Sequence, residues 1–148
     1  MDIDNAALKA LLDSDLDQKP IRLAVQGEDR AAKIISLWYQ YRDGCFYSVT
    51  HDSSWVVQQL KTNNQVGFEI AANTPPYKGI RGIGRLSVSE LQDDLQEQLL
   101  DHYLGSRHSD FACWLLSHKA GEMVIEIRPE KISTWNYTEK MQGITTNG

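Results

Sequence analysis

The sequence predicts a mainly β domain, an antiparallel barrel of six to seven strands with a few short helices. Two observations lead to this prediction. Short segments rich in β-branched and aromatic residues follow one another, and turn signals such as Asp43-Gly44 separate them. The helical segments are too few for a parallel sheet, which needs a crossover helix after nearly every strand.

The first 19 residues are expected to form a leading helix and a linker. Leu8, Leu11 and Leu12 share one helical face, and an acidic stretch and Pro20 follow. The remainder belongs to the same single domain, residues 1–148, and the tail at 142–148 is expected to be loose.

Alternating and apolar patterns place the elements of the barrel. Strands are expected at residues 21–26, 33–41, 45–50, 66–70, 78–88, 123–128 and 131–137, with a hairpin turn at 27–30 and Pro129 in a turn between the last two. Helices are expected at 55–61, 91–104 and 111–116. Gly105 is the expected stop of the longest helix.

The fifth strand follows Pro75-Pro76 and carries glycines and arginines on opposite faces. Gly82 and Gly84 fall on one face, and Arg81 and Arg85 fall on the other. Glycine inside a strand marks a bulge, a bend or a close approach of backbone or ligand. Two interpretations follow: a gap for a flat or anionic ligand beside two guanidinium groups, or a barrel corner with two solvated arginines.

Composition narrows the class of protein. The net charge of −5 and the pI near 5.3 argue against a general nucleic-acid binder, which needs a basic surface. The sequence contains no apolar run of membrane-spanning length, and the acidic start does not resemble a signal peptide, so a cytoplasmic protein without membrane contact is expected. Cys45 and Cys113 are predicted to be reduced core residues. The four histidines lack metal-site spacing, so no metal is expected.

Three separated segments carry a family resemblance. The first is residues 33–50, ending Gly44-Cys-Phe-Tyr-Ser-Val-Thr. The second is residues 60–70, followed by the glycine-rich strand of residues 75–85. The third is residues 127–137 with Met141, which contains Trp135. In this order and spacing they resemble the pyridoxamine 5′-phosphate oxidase-like, FMN-binding split-barrel family, over residues 20–141.

The resemblance implies a split barrel, a homodimer with FMN between the subunits, and oxidoreductase chemistry on an unidentified small molecule. The cofactor would supply that chemistry and the protein would position it. The residues that the resemblance and the Gly/Arg strand indicate for the cofactor are Lys33, Ile34, Ile35, Tyr47, Ser48, Val49, Thr50, Ser54, Trp55, Arg81, Arg85 and Trp135.

The chain departs from the family at the phosphate. Family members commonly carry Ser-Arg-Lys or Ser-x-Lys where this chain has Ser54-Trp55-Val56, so the usual basic ligands are missing. Arg81, Arg85, Lys33 or Lys78 are the expected substitutes. The departure leaves three alternatives to FMN: a deazaflavin, a haem with a histidine ligand such as His51 or one in the C-terminal half, or a non-catalytic split-barrel dimer that binds another ligand.

Overall fold

Seven antiparallel strands form one sheet in the computed structural model, which describes residues 4–27, 31–59, 64–91, 94–117 and 120–140. The strands are β1 (Ile21–Gln26), β2 (Ala32–Leu37), β3 (Gln40–Arg42), β4 (Cys45–His51), β5 (Gln65–Ala71), β6 (Lys78–Glu90) and β7 (Glu122–Asn136). The helices are α1 (Asn5–Leu12), α2 (Trp55–Gln59), α3 (Leu95–Leu104) and α4 (Asp110–Ser117). This architecture confirms the predicted mainly β class.

The sheet curls because its two outermost strands are consecutive in the chain. The strand order is β2-β1-β5-β6-β7-β4-β3, so β2 and β3 lie at opposite edges although only Trp38 and Tyr39 separate them. A connection this short brings the two edges together, and the sheet becomes a barrel. The predicted single strand at 33–41 is therefore wrong in one respect, since it breaks where the chain passes from one edge to the other.

The barrel interior is a continuous apolar core. The strands contribute alternate side chains, as β1 shows with Ile21, Leu23 and Val25 buried and the residues between them partly exposed. Leu8 and Leu12 of α1 join this core. Asp4 caps α1 by accepting a hydrogen bond from the Ala7 amide at 2.8 Å. The predicted leading helix is confirmed, and it packs against the barrel core.

Strand β7 is continuous where the sequence suggests a turn. It pairs with β6 from Met123 to Asn136, and Pro129 lies opposite Gly84 at a shift in register between Ile83 and Gly84. Proline has no amide hydrogen, so a bulge accommodates it inside the strand without the loss of a ladder hydrogen bond. The predicted turn at Pro129 is therefore wrong.

The glycines of β6 do not leave a gap for a ligand. A Cβ atom on Gly82 would stand 2.1 Å from the carbonyl oxygen of Lys131 and 2.7 Å from Cζ of Phe68. A Cβ atom on Gly84 would stand 2.6 Å from the carbonyl oxygen of Arg128. The ligand-gap interpretation is wrong, because the space that these glycines leave is filled by β7 and by Phe68.

Two further predictions need correction. Cys45 is buried as expected, but Cys113 is exposed, because the buried side chain of α4 is the neighbouring Ala112. Helix α3 begins at Leu95 and not at Leu91, and it ends at Gly105, whose φ of 76° is in the left-handed region that favours glycine. Leu60, Lys61, Met141 and the tail lie outside the described residues, as does most of the turn at 27–30.

Candidate functional site

A cleft lies where the barrel is split between β2 and β4. In the described part of the chain, β2 pairs only with β1, so its other edge has no partner strand. In this part, β3 pairs only with residues 45–47 of β4, so residues 48–51 of β4 also have one edge without a partner strand. The cleft between them has a volume of about 400 Å³, and α3 and α4 cover it. Its lining residues are Ser36, Leu37, Trp38, Val49, Thr50, His51, Gln96, Leu99, Leu100, Phe111, Leu115 and Glu122.

The polar groups of this cleft are few. The side-chain oxygen Oε1 of Gln96 is buried and has no hydrogen-bond partner among the described residues. Burial raises the pKa of Glu122 above its ordinary value, and nearby Asp52 adds to this increase while His51 opposes it. His51 Nδ1 lies 3.0 Å from an Asp52 carboxylate oxygen and 2.8 Å from Ser53 Oγ. No lysine or arginine is among the described residues that line the cleft.

The end of the cleft near α2 contains the predicted phosphate region. Thr50 Oγ1 donates a hydrogen bond to Ser54 Oγ at 3.1 Å. Val56 is buried in the core, and Trp55 packs against the core, so neither position can hold the usual basic ligand. Lys33 Nζ lies 4.4 Å from the centre of the Trp55 ring. The Lys33 ammonium therefore supplies a positive charge beside the residue that replaces a basic one.

A second group of predicted residues lies on the outer face of the sheet. Ile34, Arg81 and Trp135 are on this face, because β-sheet register places them on the side opposite the core. The Arg81 guanidinium lies 5.3 Å from the Trp135 ring centre, and Trp135 Nε1 is buried with no partner among the described residues. We call the shallow cavity here, of about 460 Å³, the outer-face groove; it is lined by Arg22, Ala24, Ile34, Gly67, Phe68, Glu69, Arg81, Gly82, Ile83, Lys131 and Ser133.

The other predicted residues line neither the cleft nor the outer-face groove. Ile35 packs against the barrel core. Ser48 is fully buried, and its hydroxyl donates to the Trp38 carbonyl at 2.6 Å, so it holds the break between β2 and β3. Tyr47 lies under the Arg42 guanidinium at 4.6 Å. Arg85 is exposed.

Arg85 has local partners of its own. Its guanidinium lies 3.3 Å from Glu130 Oε1 and donates to Asn64 Oδ1 at 2.9 Å. The two arginines of β6 therefore do different things: Arg81 faces Trp135, and Arg85 is bound to an acid and an amide. Neither arginine lines the cleft between β2 and β4.

The sequence did not predict the lining residues that α3, α4 and β7 contribute to the cleft. Gln96, Phe111, Leu115 and Glu122 line it but lie far along the chain from β2 and β4. No sequence spacing relates these residues to residues 36–51. The one available signal was Phe111 beside Trp114 in an amphipathic segment, which predicts a helix and not its position.

A larger cavity, of about 570 Å³, lies between α1, β3 and α3. It contains none of the predicted site residues. Its carboxylates already have partners, because Lys9 contacts Asp13 at 2.7 Å and His102 contacts Asp17 at 3.0 Å. We therefore assign the candidate site to the cleft. In the described residues no helix could span a membrane, and no group of three or more potential metal ligands is found.

Comparison with known proteins identifies the fold. Neither a family model nor a curated protein matches the sequence. By structure, the chain is similar to a conserved hypothetical protein from Mycobacterium tuberculosis, with a TM-score of 0.74 and 16% identity, over 94% of this chain and 88% of that one. It is also similar to a candidate pyridoxamine 5′-phosphate oxidase from Listeria innocua, with a TM-score of 0.62 and 17% identity, over 87% and 95% of the chains.

Two further structures have the same fold and different cofactors in their names. One is HutZ, the haem storage protein of Vibrio cholerae, with a TM-score of 0.62 and 14% identity over 89% of this chain and 93% of that one. The other is an FAD-binding protein from Mesorhizobium loti, with a TM-score of 0.58 and 18% identity over 90% and 95%. The chain therefore has the split-barrel fold of the pyridoxamine 5′-phosphate oxidase-like proteins, as the three sequence segments predict.

Proposed function

We propose that this protein binds FMN in the cleft between β2 and β4 and is an oxidoreductase that acts on a small molecule. The observation that supports this proposal is the pair of strand edges that have no partner strand in the described residues and border an apolar cleft of about 400 Å³. Ligand sites are typically concave, mostly apolar and supplied with a few polar groups, and their volumes start at about 300 Å³.

The cleft suits the flavin ring system for a chemical reason. Backbone amides and carbonyls that no neighbouring strand uses need hydrogen-bond partners. One edge of the flavin ring carries N–H and C=O groups of the same kind, so an unpaired strand can bind it as it would bind another strand. Leu37, Trp38 and Val49 supply apolar walls for the flat faces of the ring. The bound flavin would supply hydride or electron transfer.

The phosphate would lie at the α2 end of the cleft. Thr50 and Ser54 offer hydroxyl donors there, and Lys33 offers the charge that Trp55 and Val56 lack. Because Lys33 is exposed and stacked on an aromatic ring, its ammonium can move to a phosphate without any change in the core. The chain would thus replace the family's basic ligands with one lysine from the opposite strand.

We further propose that two copies associate through the outer-face groove. Ile34 is 62% exposed and Ile83 is 43% exposed in this region, and burial of such side chains favours association. The indole donor of Trp135 and the charge of Arg81 lie at the same face and would contact the second copy. Sedimentation analysis tests the association, with Ile34→Glu expected to give a monomer.

A titration of the purified protein with FMN tests the cofactor. Flavin fluorescence should be quenched and should saturate near one FMN per chain at micromolar concentration or below. Riboflavin should bind more weakly, because it lacks the phosphate. Absence of quenching would contradict the proposal. Loss of flavin absorbance after anaerobic addition of NADH or NADPH to the FMN complex would then identify an oxidoreductase that accepts electrons from a nicotinamide.

Haem is the alternative that needs a histidine ligand at the cleft. His51 borders the cleft, but its Nε2 atom packs on Gly121, where a Cβ atom would stand only 2.6 Å away. Its Nδ1 atom contacts Asp52 and Ser53. The Nδ1 atom therefore has partners within the protein, and Gly121 lies beside Nε2, which disfavours haem ligation by His51. A Soret band after addition of haem would support the alternative.

A further inference from the structure

The wall of the cleft formed by α3 and α4 has no part in the proposed contacts with the flavin. Phe111 and Leu115 of α4 border the cleft, and the Trp114 ring stacks on Phe111 with centroids 6.3 Å apart and an interplanar angle of 10°. Phe111 and Trp114 are each 55% exposed, so Phe111 presents an exposed aromatic ring at the border of the cleft, with Trp114 stacked beside it. Flat aromatic surfaces of this kind stack with flat ligands.

The charges of the cleft disfavour an anionic ligand. The described residues that line it include Glu122 and no lysine or arginine, and Lys33 lies outside it, over Trp55. A carboxylate or phosphate in this part of the cleft would lose water without gaining a lysine or arginine from the described residues, which is costly in an apolar site. These charges favour a neutral molecule beneath α4.

The cleft also contains a buried hydrogen-bond acceptor that needs a donor. Gln96 lines it, and the Oε1 atom of Gln96 is buried without a partner in the described part of the chain. A buried acceptor that has lost its water is costly until a donor reaches it. The terminal torsion of a glutamine side chain is soft, so this oxygen can turn toward a ligand beside it. A ligand with an N–H or O–H group would satisfy the acceptor.

We infer that the α4 side of the cleft binds a neutral, planar aromatic molecule that carries an N–H or O–H donor, stacked on Phe111 and bound to Gln96. This inference rests on the proposed function, in which the same molecule is the substrate beside the flavin. The ligand class excludes phosphorylated substrates, because their charge meets no lysine or arginine among the described residues of this wall.

Isothermal titration of the FMN-saturated protein with three matched probes tests the inference. The probes are 2-naphthol, 2-methoxynaphthalene, which lacks the donor, and 2-naphthoate, which is anionic. We expect 2-naphthol to bind best, 2-methoxynaphthalene several-fold more weakly, and 2-naphthoate at least tenfold more weakly. Equal affinity for 2-naphthol and 2-naphthoate would overturn the inference.

Two variants assign the contacts. Phe111→Ala should lower the affinity for both neutral probes by about threefold to tenfold, because each probe loses the aromatic ring on which it stacks. Gln96→Leu should abolish the preference for 2-naphthol over 2-methoxynaphthalene. Tyr77→Ala, an exposed aromatic residue that does not line the cleft, is the control and should change neither affinity. Unchanged binding of 2-naphthol in Phe111→Ala would overturn the assignment.

The binding of FMN and the binding of the naphthalene probes test the proposed function and this inference separately. If FMN binds and no probe does, this inference is wrong and the proposed flavin function stands. If the probes bind with the expected preference to protein that does not bind FMN, the proposed function is wrong and the assignment of the α4 wall stands.

Discussion

Replacement of Gly82 by alanine is expected to destabilise the protein strongly. The new Cβ atom would stand 2.1 Å from the Lys131 carbonyl oxygen, whereas even a close C–H···O contact is about 3.3 Å. β6 and β7 would have to separate by roughly 1 Å, beyond their usual spacing of about 4.8 Å. Overpacking costs about 1–3 kcal/mol, and a weakened ladder hydrogen bond costs about 1 kcal/mol more, so we expect a loss of about 2–4 kcal/mol.

Gly67→Ala is the matched control for this experiment. Gly67 lies on the neighbouring strand β5, and a Cβ atom there would stand 3.6 Å from the Ala24 Cβ atom, which is ordinary contact. Its effect should be neutral, or stabilising by about 0.4–1 kcal/mol through the unfolded chain.

Urea unfolding of both variants, at two protein concentrations to detect association, gives the free energies. Equal stability of Gly82→Ala and the wild-type protein would refute the interpretation that β7 fills the space beside Gly82.

Three further outcomes are expected. Tyr103→Phe should lose about 1–2 kcal/mol at neutral pH, because the hydroxyl donates to the Lys19 carbonyl at 3.0 Å. Burial raises the pKa of Tyr103 from 10.0 to about 12, so the stabilisation by the protonated hydroxyl is complete below pH 10 and is lost as the pH rises toward 12. Thermal melts across this pH range should show the melting temperatures of the wild-type protein and Tyr103→Phe converging. A difference that stays constant with pH would contradict this role of the hydroxyl. A thiol reagent should modify exposed Cys113 quickly and buried Cys45 slowly, with Cys113→Ser losing the fast phase; two equally fast thiols would contradict the structure. Lys33→Met should weaken the binding of FMN by about fivefold or more and leave the affinity for riboflavin unchanged, because only FMN carries the phosphate. Flavin fluorescence measures both affinities. An equal loss of affinity for the two flavins would show that Lys33 contacts the ring and not the phosphate.

Local patterns in the sequence were sufficient for most of the strands. The alternation from Ile21 to Gln26 and the Asp43-Gly44 turn depend on neighbouring residues, and the structure has both as predicted. The break at Trp38 and Tyr39 could not be predicted in this way. Neither residue is a turn former, and the break exists because the chain leaves one edge of the barrel and joins the other.

The candidate site was predictable only in part. Val49, Thr50 and Lys33 were found through the family resemblance and lie at or beside the cleft. Gln96 and Phe111 were not, because their place over the cleft depends on how α3 and α4 pack on the barrel. Helical periodicity predicts which face of a helix is buried and does not predict what it covers.

The position of Cys113 is a similar case. The apolar context beside Trp114 suggested a buried thiol, but Trp114 is itself exposed and only Ala112 of this helix is buried among the residues next to the cysteine. The exposed aromatic ring of Phe111 at the border of the cleft, with Trp114 stacked beside it, explains the apolar context without burial of the cysteine.

Calorimetric titration of FMN into the wild-type protein and into Ser36→Trp tests the central claim most directly. Ser36 is exposed and borders the cleft, so an indole ring there would fill the cleft without changing the core, and Ser87→Trp places the same ring on exposed β6 outside the cleft. We expect about one FMN per chain for the wild-type protein and for Ser87→Trp, and no binding for Ser36→Trp. Wild-type affinity in Ser36→Trp would contradict the assignment of the flavin to this cleft.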